Sequence, residues 1–255
     1  MPELPEEDKE LSFLQHLVEL RGRLLKACLS VFVVLIVLLP FSRHLYETIA
    51  SPMMAQMPEG SSMIAIDVAS PFLTPFKLTL LISIMISIPV VLYQLWAFVA
   101  PALFKHEKRL ARPLLLTSVV LFYTGCAFAY FVVFPLVFGF LTRVAPEGVS
   151  VMTDISKYLD FVMTLFLAFG ITFEVPIATI ILVATGITTP DKLASWRPYI
   201  IVGAFALGMV LTPPDVISQT LLALPMWLLF EIGIICSRIL VPAKEEETET
   251  DQATS

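Results

Sequence analysis

The side chains best placed to do chemistry in this chain are a few carboxylates in apolar or basic surroundings. Glu174 lies near the middle of a long apolar stretch, where an ionised carboxylate in lipid costs about 3 kcal/mol. Such a side chain needs a polar partner or a proton, so its default interpretation is functional. Gly170 and Ala178, four residues before and after it, predict a close helix approach or a water-filled cavity, and Pro176 predicts a loosened backbone.

Two other carboxylates have a simpler explanation from local charge. Glu19 precedes Arg23 by four residues in a segment of amphipathic helical spacing, which predicts an ion pair worth only about 0.3 kcal/mol. Glu107 lies among lysines and arginines, where it balances charge. Glu231, towards the end of the last apolar stretch, is expected to pair with Arg238 if both side chains extend to the interface.

Motifs for catalysis or metal binding are not recognisable. No glycine-rich phosphate loop precedes a helix, and no Ser-His-Asp or Cys-His set can be assembled. The three histidines lack ligand spacing, and the three cysteines fall in or beside apolar stretches as small hydrophobes. The sequence therefore predicts a non-enzyme that needs no cofactor or metal and binds no nucleic acid.

Six apolar stretches must position these carboxylates. With 57% hydrophobic and 15% charged residues, the chain has too little polar surface for a water-soluble globule. It predicts an all-α membrane protein with six transmembrane helices in one domain, residues 1–241, and a disordered acidic tail at 242–255. The predicted spans are 24–41, 76–104, 113–141, 158–187, 199–211 and 216–241, of which the fifth is too short to cross comfortably.

Basic residues collect in alternate gaps between these spans. Twelve of the sixteen lysines and arginines fall on the side of the amino terminus, so the positive-inside rule places both termini in the cytoplasm. An acidic segment precedes the first span and no small-residue cleavage site follows it, so this span is expected to be retained. These features favour the bacterial inner membrane.

Prolines predict the shape of the bundle and of its loops. Those inside the spans should bend four helices into a concave bundle, although membrane helices also tolerate proline routinely; they are Pro89, Pro135, Pro176 and Pro225. Ser51-Pro52 and Ser70-Pro71 resemble helix starts within an external cap. Asp215, after Thr212 and two prolines, is most simply a helix cap.

Six strings distributed from about residue 11 to residue 238 resemble the TatC family, the multispanning component of the twin-arginine protein translocase. They are His16-Leu-Val-Glu-Leu-Arg-Gly-Arg, Ser70-Pro-Phe, Tyr93-Gln-Leu-Trp-Ala-Phe-Val-Ala-Pro-Ala-Leu, Lys105-His-Glu-Lys-Arg, Phe173-Glu-Val-Pro and Leu211-Thr-Pro-Pro-Asp. The resemblance implies a receptor that binds twin-arginine signal peptides and organises export of folded proteins, driven by the proton-motive force.

The resemblance also implies roles for particular residues. Glu19 and Glu107 would bind the two signal arginines, and Phe98 would bound the apolar edge of that site. Glu174 and Met209 would contact the membrane helices of single-span TatA-like and TatB-like partners. Pro52 would support the external cap, and the chain would self-associate in a multimeric receptor complex within the lipid bilayer.

Two other functions compete with this interpretation. In a small proton- or ion-coupled secondary transporter or channel, Glu174 would carry the proton or coordinate the ion. Such proteins commonly have repeated halves, whereas spans one to three differ from four to six in length and motif. A scaffold without a ligand would leave Glu19 and Glu107 without a role.

Overall fold

A computed structural model describes residues 6–54, 64–99, 111–137, 139, 154–211 and 216–241. In these ranges the backbone is helical apart from short connections and one isolated bridge between Ile64 and Asp154. The helices are α1 (Glu6–Leu38), α2 (Ser42–Met54), α3 (Ser70–Val99), α4 (Ala111–Phe128), α5 (Ile155–Thr172), α6 (Val175–Ala184), α7 (Pro190–Ser195), α8 (Arg197–Leu211) and α9 (Val216–Leu240).

Six apolar helical runs in the described ranges confirm the predicted membrane fold. Five are long and apolar enough to cross a bilayer, namely Leu17–Ile49, Ser70–Phe98, Arg112–Val137, Ile155–Ala184 and Gln219–Leu240. The sixth, Arg197–Val210, is shorter, as the sequence predicts. The first run combines α1 and α2 through a tight 3₁₀ turn at Leu39–Phe41.

Side-chain contacts between helices give their relative directions. Ser118 contacts Glu174 and Cys126 contacts Phe166, so α4 runs antiparallel to the segment formed by α5 and α6. Ser70 and Thr74 both contact Ser156, and Lys77 contacts Asp160, so α3 and α5 are parallel. Tyr46 of α2 lies close enough to Tyr158, at the start of α5, to interact with it electrostatically, so the first run ends where α3 and α5 begin. The bundle therefore has two ends: the Glu19 end, where α1 and α4 begin, and the Lys77 end, where α3 and α5 begin.

The core is centred on α5, which packs between α4 and α3. Its fully buried side chains include Leu159, Val162, Leu165 and Phe169. Most large side chains of the first run are exposed instead, Leu24, Leu29 and Phe32 among them. In a bilayer such a surface faces lipid, which is as apolar as the side chains themselves.

The four prolines within the spans have two different effects on their helices. Pro176 follows a break between α5 and α6, and Pro135 follows a π-helical segment at Ala129–Val133, which adjusts the turn that its ring would otherwise crowd. Pro89 and Pro225 lie inside α3 and α9. A proline interrupts the ladder in two spans and is accommodated in the other two.

The two predicted helix starts have different outcomes. α3 begins at Ser70, as Ser70-Pro71 predicts, but it opens the second span itself, six residues before the predicted boundary. The prediction for Ser51-Pro52 is wrong, because α2 already begins at Ser42 and continues through both residues to Met54. Proline fits in the last turn of a helix when the preceding carbonyls can shift.

Candidate functional site

Glu19 lies on α1 near the start of the first apolar run and forms the predicted ion pair with Arg23. Arg23 Nε and Nη2 donate to Glu19 Oε1 at 2.9 and 2.6 Å. The side chain of Glu19 is 38% exposed and that of Arg23 is 25% exposed. Charge-assisted hydrogen bonds are strong in such a half-dehydrated setting. Within the described ranges, Glu19 Oε2 accepts no hydrogen bond. This carboxylate binds one guanidinium and retains a free oxygen.

Phe98 lies in the last turn of α3, at the end where α4 begins after the connection. α1 packs along α3, so Phe98 and Glu19 lie on neighbouring helices at the Glu19 end. Glu107 belongs to the connection between α3 and α4 and lies outside the described residues. The two ends of that connection are therefore fixed by Val99 and Ala111.

Glu174 occupies the break between α5 and α6. The Glu174 carbonyl accepts from Ala178 N at 2.9 Å, while Pro176 has no N–H to offer the preceding turn. Ser118 on α4 donates a hydrogen bond to Glu174 Oε2. The other oxygen, Oε1, is buried and has no partner among the described residues. A buried, unmatched carboxylate oxygen within a membrane span is ready to accept from an incoming donor.

Two glycines allow α4 and α5 to approach closely enough for this contact. A Cβ at Gly170 would lie 2.6 Å from the ring of Phe122, and a Cβ at Gly125 would lie 2.5 Å from the carbonyl oxygen of Phe169. Small residues at a helix interface permit such contact in membranes. The prediction of a close helix approach at Gly170 is confirmed, and this approach places Ser118 opposite Glu174.

Met209 lies near the end of α8, and its side chain is 59% exposed. α8 packs on α9, where Gln219 donates from Nε2 to the Phe205 carbonyl at 2.8 Å and its Cγ lies 3.0 Å from a Cβ built on Gly208. Asp215 lies outside the described residues, between these two helices. Met209 is thus accessible from the lipid side of a tightly packed hairpin.

The predicted pairing of Glu231 with Arg238 is wrong. Arg197, at the first position of α8, makes a two-pronged contact with Glu231 on α9, from Nε to Oε1 at 2.6 Å and from Nη2 to Oε2 at 2.8 Å. Arg238 instead binds Asp191 of α7 at 2.8 Å. Glu231 and Arg238 lie seven residues apart on one helix, about 10 Å along its axis, so partners from neighbouring helices are nearer.

At the Lys77 end, the starts of α3 and α5 are joined by polar contacts. Ser156 Oγ lies 2.7 Å from Ser70 Oγ and 3.1 Å from Thr74 Oγ1, and Lys77 Nζ donates to Asp160 Oδ1 at 3.0 Å. A cavity of about 360 Å³ adjoins these residues. Pro52, which was expected to support a cap at this end, lies in the last turn of α2.

Sequence reasoning missed the two residues that hold the intramembrane and interfacial carboxylates, Ser118 and Arg197. The signals were faint: a lone hydroxyl in an apolar span, and an arginine at the start of a short helix. Both contacts depend on how neighbouring helices are aligned along their axes, and the periodicity of residues within one span does not determine that alignment. Among the described residues, no group of three or more histidine, cysteine, aspartate or glutamate side chains could hold a metal ion.

The family model described as "Sec-independent protein translocase protein (TatC)" matches residues 15–225. This match includes the segments that carry Glu19, Phe98, Glu107, Glu174 and Met209. It covers more than half of the chain.

Individual relatives agree with the family model. The Sec-independent protein translocase protein TatC of Escherichia coli O6:H1 (strain CFT073) is 60% identical over 226 residues, covering 89% of this chain and 88% of the relative. The protein of the same name from Haemophilus influenzae is 56% identical over 239 residues, covering 94% and 93%. A crystal structure titled as the twin arginine translocase receptor TatC is 38% identical, covers 88% of this chain and 98% of that chain, and has a TM-score of 0.79.

Proposed function

This chain belongs to the TatC family of Sec-independent protein translocase proteins, and on that premise we propose that it is the signal receptor at the core of a twin-arginine translocase. The family is one of translocase components and not of enzymes. The chain is a multi-pass protein of the bacterial inner membrane. In the proposed function it binds twin-arginine signal peptides and organises export of folded cargo, driven by the proton-motive force.

The geometry of Glu19 is the observation that carries this proposal. Its carboxylate already holds a guanidinium, supplied by Arg23, in a half-dehydrated position at the start of the first span. Guanidinium groups make strong, often two-pronged bonds to carboxylates, and more so where water is partly excluded. Because Oε2 accepts nothing among the described residues, Glu19 can receive a second guanidinium without unfolding its own surroundings.

Glu107 supplies the second carboxylate of the proposed receptor site. It lies in the connection between α3 and α4, and this connection leaves α3 one residue after Phe98. Two adjacent arginines require two acceptors at the same end of the bundle, and Glu19 and Glu107 fulfil that requirement. Phe98, on the helix next to Glu19, would provide apolar surface for the hydrophobic part of a signal peptide. In the proposed function both termini of the chain lie in the cytoplasm, where the signal is presented.

The proposed partners are single-span TatA-like and TatB-like proteins. Glu174 Oε1 would accept a hydrogen bond from a polar side chain of a partner's membrane helix, since it is buried without a partner among the described residues. Met209, exposed on α8, would provide an adaptable apolar contact for such a helix. Several copies of the chain would assemble in one receptor complex.

Capture of the signal by the two carboxylates is directly testable. We expect Glu19→Ala and Glu107→Ala each to reduce crosslinking of a twin-arginine signal peptide at least about tenfold, since a charge-assisted pair contributes roughly 1.5–3 kcal/mol. The measurement uses inner-membrane vesicles that hold the full chain with its partners, at equal receptor amounts.

Glu47→Ala is the matched control, because Glu47 is an exposed carboxylate of α2 that forms no ion pair among the described residues. It should capture the peptide as the unmodified chain does. Unchanged capture in both the Glu19 and the Glu107 variant would reject the receptor assignment.

A small ion-coupled transporter is not proposed. A transporter function would depend on Glu174 alone as the group that binds the ion, whereas the named relatives are translocase proteins. The break at Glu174 fits a partner contact equally well. The interruptions described in the first three spans, a 3₁₀ turn at Leu39–Phe41 and a π-helical segment at Ala129–Val133, carry no carboxylate.

A further inference from the structure

Arg23 bonds only one of the two oxygens of the Glu19 carboxylate. Both of its donors, Nε and Nη2, bond the same oxygen, Oε1, in place of one oxygen each. A carboxylate offers about four acceptor positions, so this contact fills one oxygen and leaves Oε2 open. The contrast is Arg197, which contacts both oxygens of Glu231. Arg23 thus holds the Glu19 carboxylate in place through Oε1, and Oε2 stays available to an incoming donor.

We propose that Arg23 is a specificity-determining residue of the receptor site, which makes the Glu19 carboxylate discriminate a guanidinium from an ammonium. The inference depends on the proposed function, because it assigns a role to the neighbour of Glu19 in signal recognition. An incoming cation must bind beside the positive charge of Arg23. The two cations available to a signal peptide, arginine and lysine, meet that requirement differently.

An incoming guanidinium is well suited to a carboxylate that is already shared. Its charge is delocalised over a plane and weakly hydrated, and its fork can bond both acceptor positions of Oε2, as the fork of Arg23 does at Oε1. A lysine ammonium is a compact, strongly hydrated charge that makes one bond to Oε2. To form this single hydrogen bond, the ammonium would have to give up hydrating water and bind close to the positive charge of Arg23.

The half-buried position of the pair strengthens this difference. Arg23 is 25% exposed, so its charge is less screened than that of a fully exposed side chain. Without Arg23, the lysine ammonium would bind a carboxylate that no other cation shares, and it would not be repelled by the charge of Arg23. Replacement of Arg23 should therefore help a twin-lysine peptide more than a twin-arginine peptide.

The quantity that tests this inference is the ratio of the two dissociation constants, twin-lysine over twin-arginine, for one peptide sequence. In Arg23→Gln we expect this ratio to fall roughly two- to fivefold, which corresponds to the usual strength of a partly exposed charge pair. Arg23→Lys retains the charge and loses the planar fork, so its ratio should fall less. Binding is measured by peptide titration on vesicles that hold the full chain with its partners.

Lys26→Gln is the matched control, since Lys26 is an exposed cation on the next turn of α1 that forms no ion pair among the described residues. The same loss of one charge at this position should leave the ratio unchanged. If Arg23 merely competed for Glu19, its removal would tighten both peptides equally, and an unchanged ratio would overturn the inference.

Glu19→Ala separates this inference from the proposed function. If Glu19→Ala abolishes capture and the ratio in Arg23→Gln stays unchanged, only the role of Arg23 is wrong. If Glu19→Ala leaves capture intact, the receptor assignment of Glu19 itself fails. If Arg23→Gln does not accumulate in the membrane, the ratio in Arg23→Met, which also removes the charge, decides, and an unchanged ratio there overturns the inference.

Discussion

Single carboxylates in this chain differ in what the fold leaves open on them. Glu231 has both oxygens occupied by Arg197, which makes it a structural link between α8 and α9. Glu19 and Glu174 each have one oxygen bonded and one oxygen that accepts nothing among the described residues. We propose that this free oxygen makes Glu19 a binding group for the signal and Glu174 a binding group for a partner helix.

Glu174→Gln tests the intramembrane contact. The glutamine can still accept the hydrogen bond from Ser118, so the helix packing should persist, whereas the acceptor strength offered to a partner falls with the charge. We expect about tenfold less crosslinking between α8 and a TatB-like partner helix, measured from a photoreactive residue at position 209.

Ser87→Ala is the control for this change. Ser87 is a buried residue of the α3 span whose hydroxyl has no partner in the described structure. Its removal should alter neither partner crosslinking nor folding. Equal crosslinking in the Glu174 and Ser87 variants would contradict the assigned contact.

At the scale of elements, small residues determine which helices can touch. α6 and α9 meet at Gly233, where an added Cβ would overlap Thr179 Oγ1 and lie 2.9 Å from Pro176 Cα. The break after α5 therefore packs against α9 through a glycine. Because backbone atoms cannot move as a flexible side chain does, a methyl group here must separate the helices.

Gly233→Ala is expected to lower the free energy of unfolding by about 1–3 kcal/mol, as overpacking of a well-filled contact does. Thermal unfolding of the purified chain in detergent measures the loss. Gly203→Ala is its control, since a Cβ at Gly203 would meet nothing within 4 Å. A comparable loss in both variants would show that the contact at Gly233 is not as close as described.

The elements themselves were largely predictable, and their partners were not. Apolar length and the pattern of basic residues gave six spans and the short α8, because lipid forces backbone groups to be satisfied within each helix. Ser70-Pro71 predicted a helix start, because the first turn of a helix tolerates proline, but the sequence assigned that helix to an external cap and not to the second span, which it opens. The contact between Ser118 and Glu174 joins residues 56 positions apart, which no local pattern encodes.

On the scale of the whole molecule, the two ends of the bundle have different chemistry. The Glu19 end carries a carboxylate that holds a guanidinium in a basic setting, and the Lys77 end joins α3 to α5 through hydroxyls and one ion pair. A receptor for a cytoplasmic signal needs the first kind of surface at one end only. We propose that the Glu19 end is this surface, since the motif His16-Leu-Val-Glu-Leu-Arg-Gly-Arg lies there.

The most direct measurement compares photocrosslinking of a twin-arginine signal peptide from the two ends. A photoreactive residue replaces Val18, which is 69% exposed beside Glu19, or Val68, which is 99% exposed at the Lys77 end. We expect a crosslink from position 18 that is lost with the twin-lysine peptide, and none from position 68. A crosslink from position 68 alone, or one from position 18 that is equally strong with both peptides, would show that the Glu19 end does not bind the two arginines.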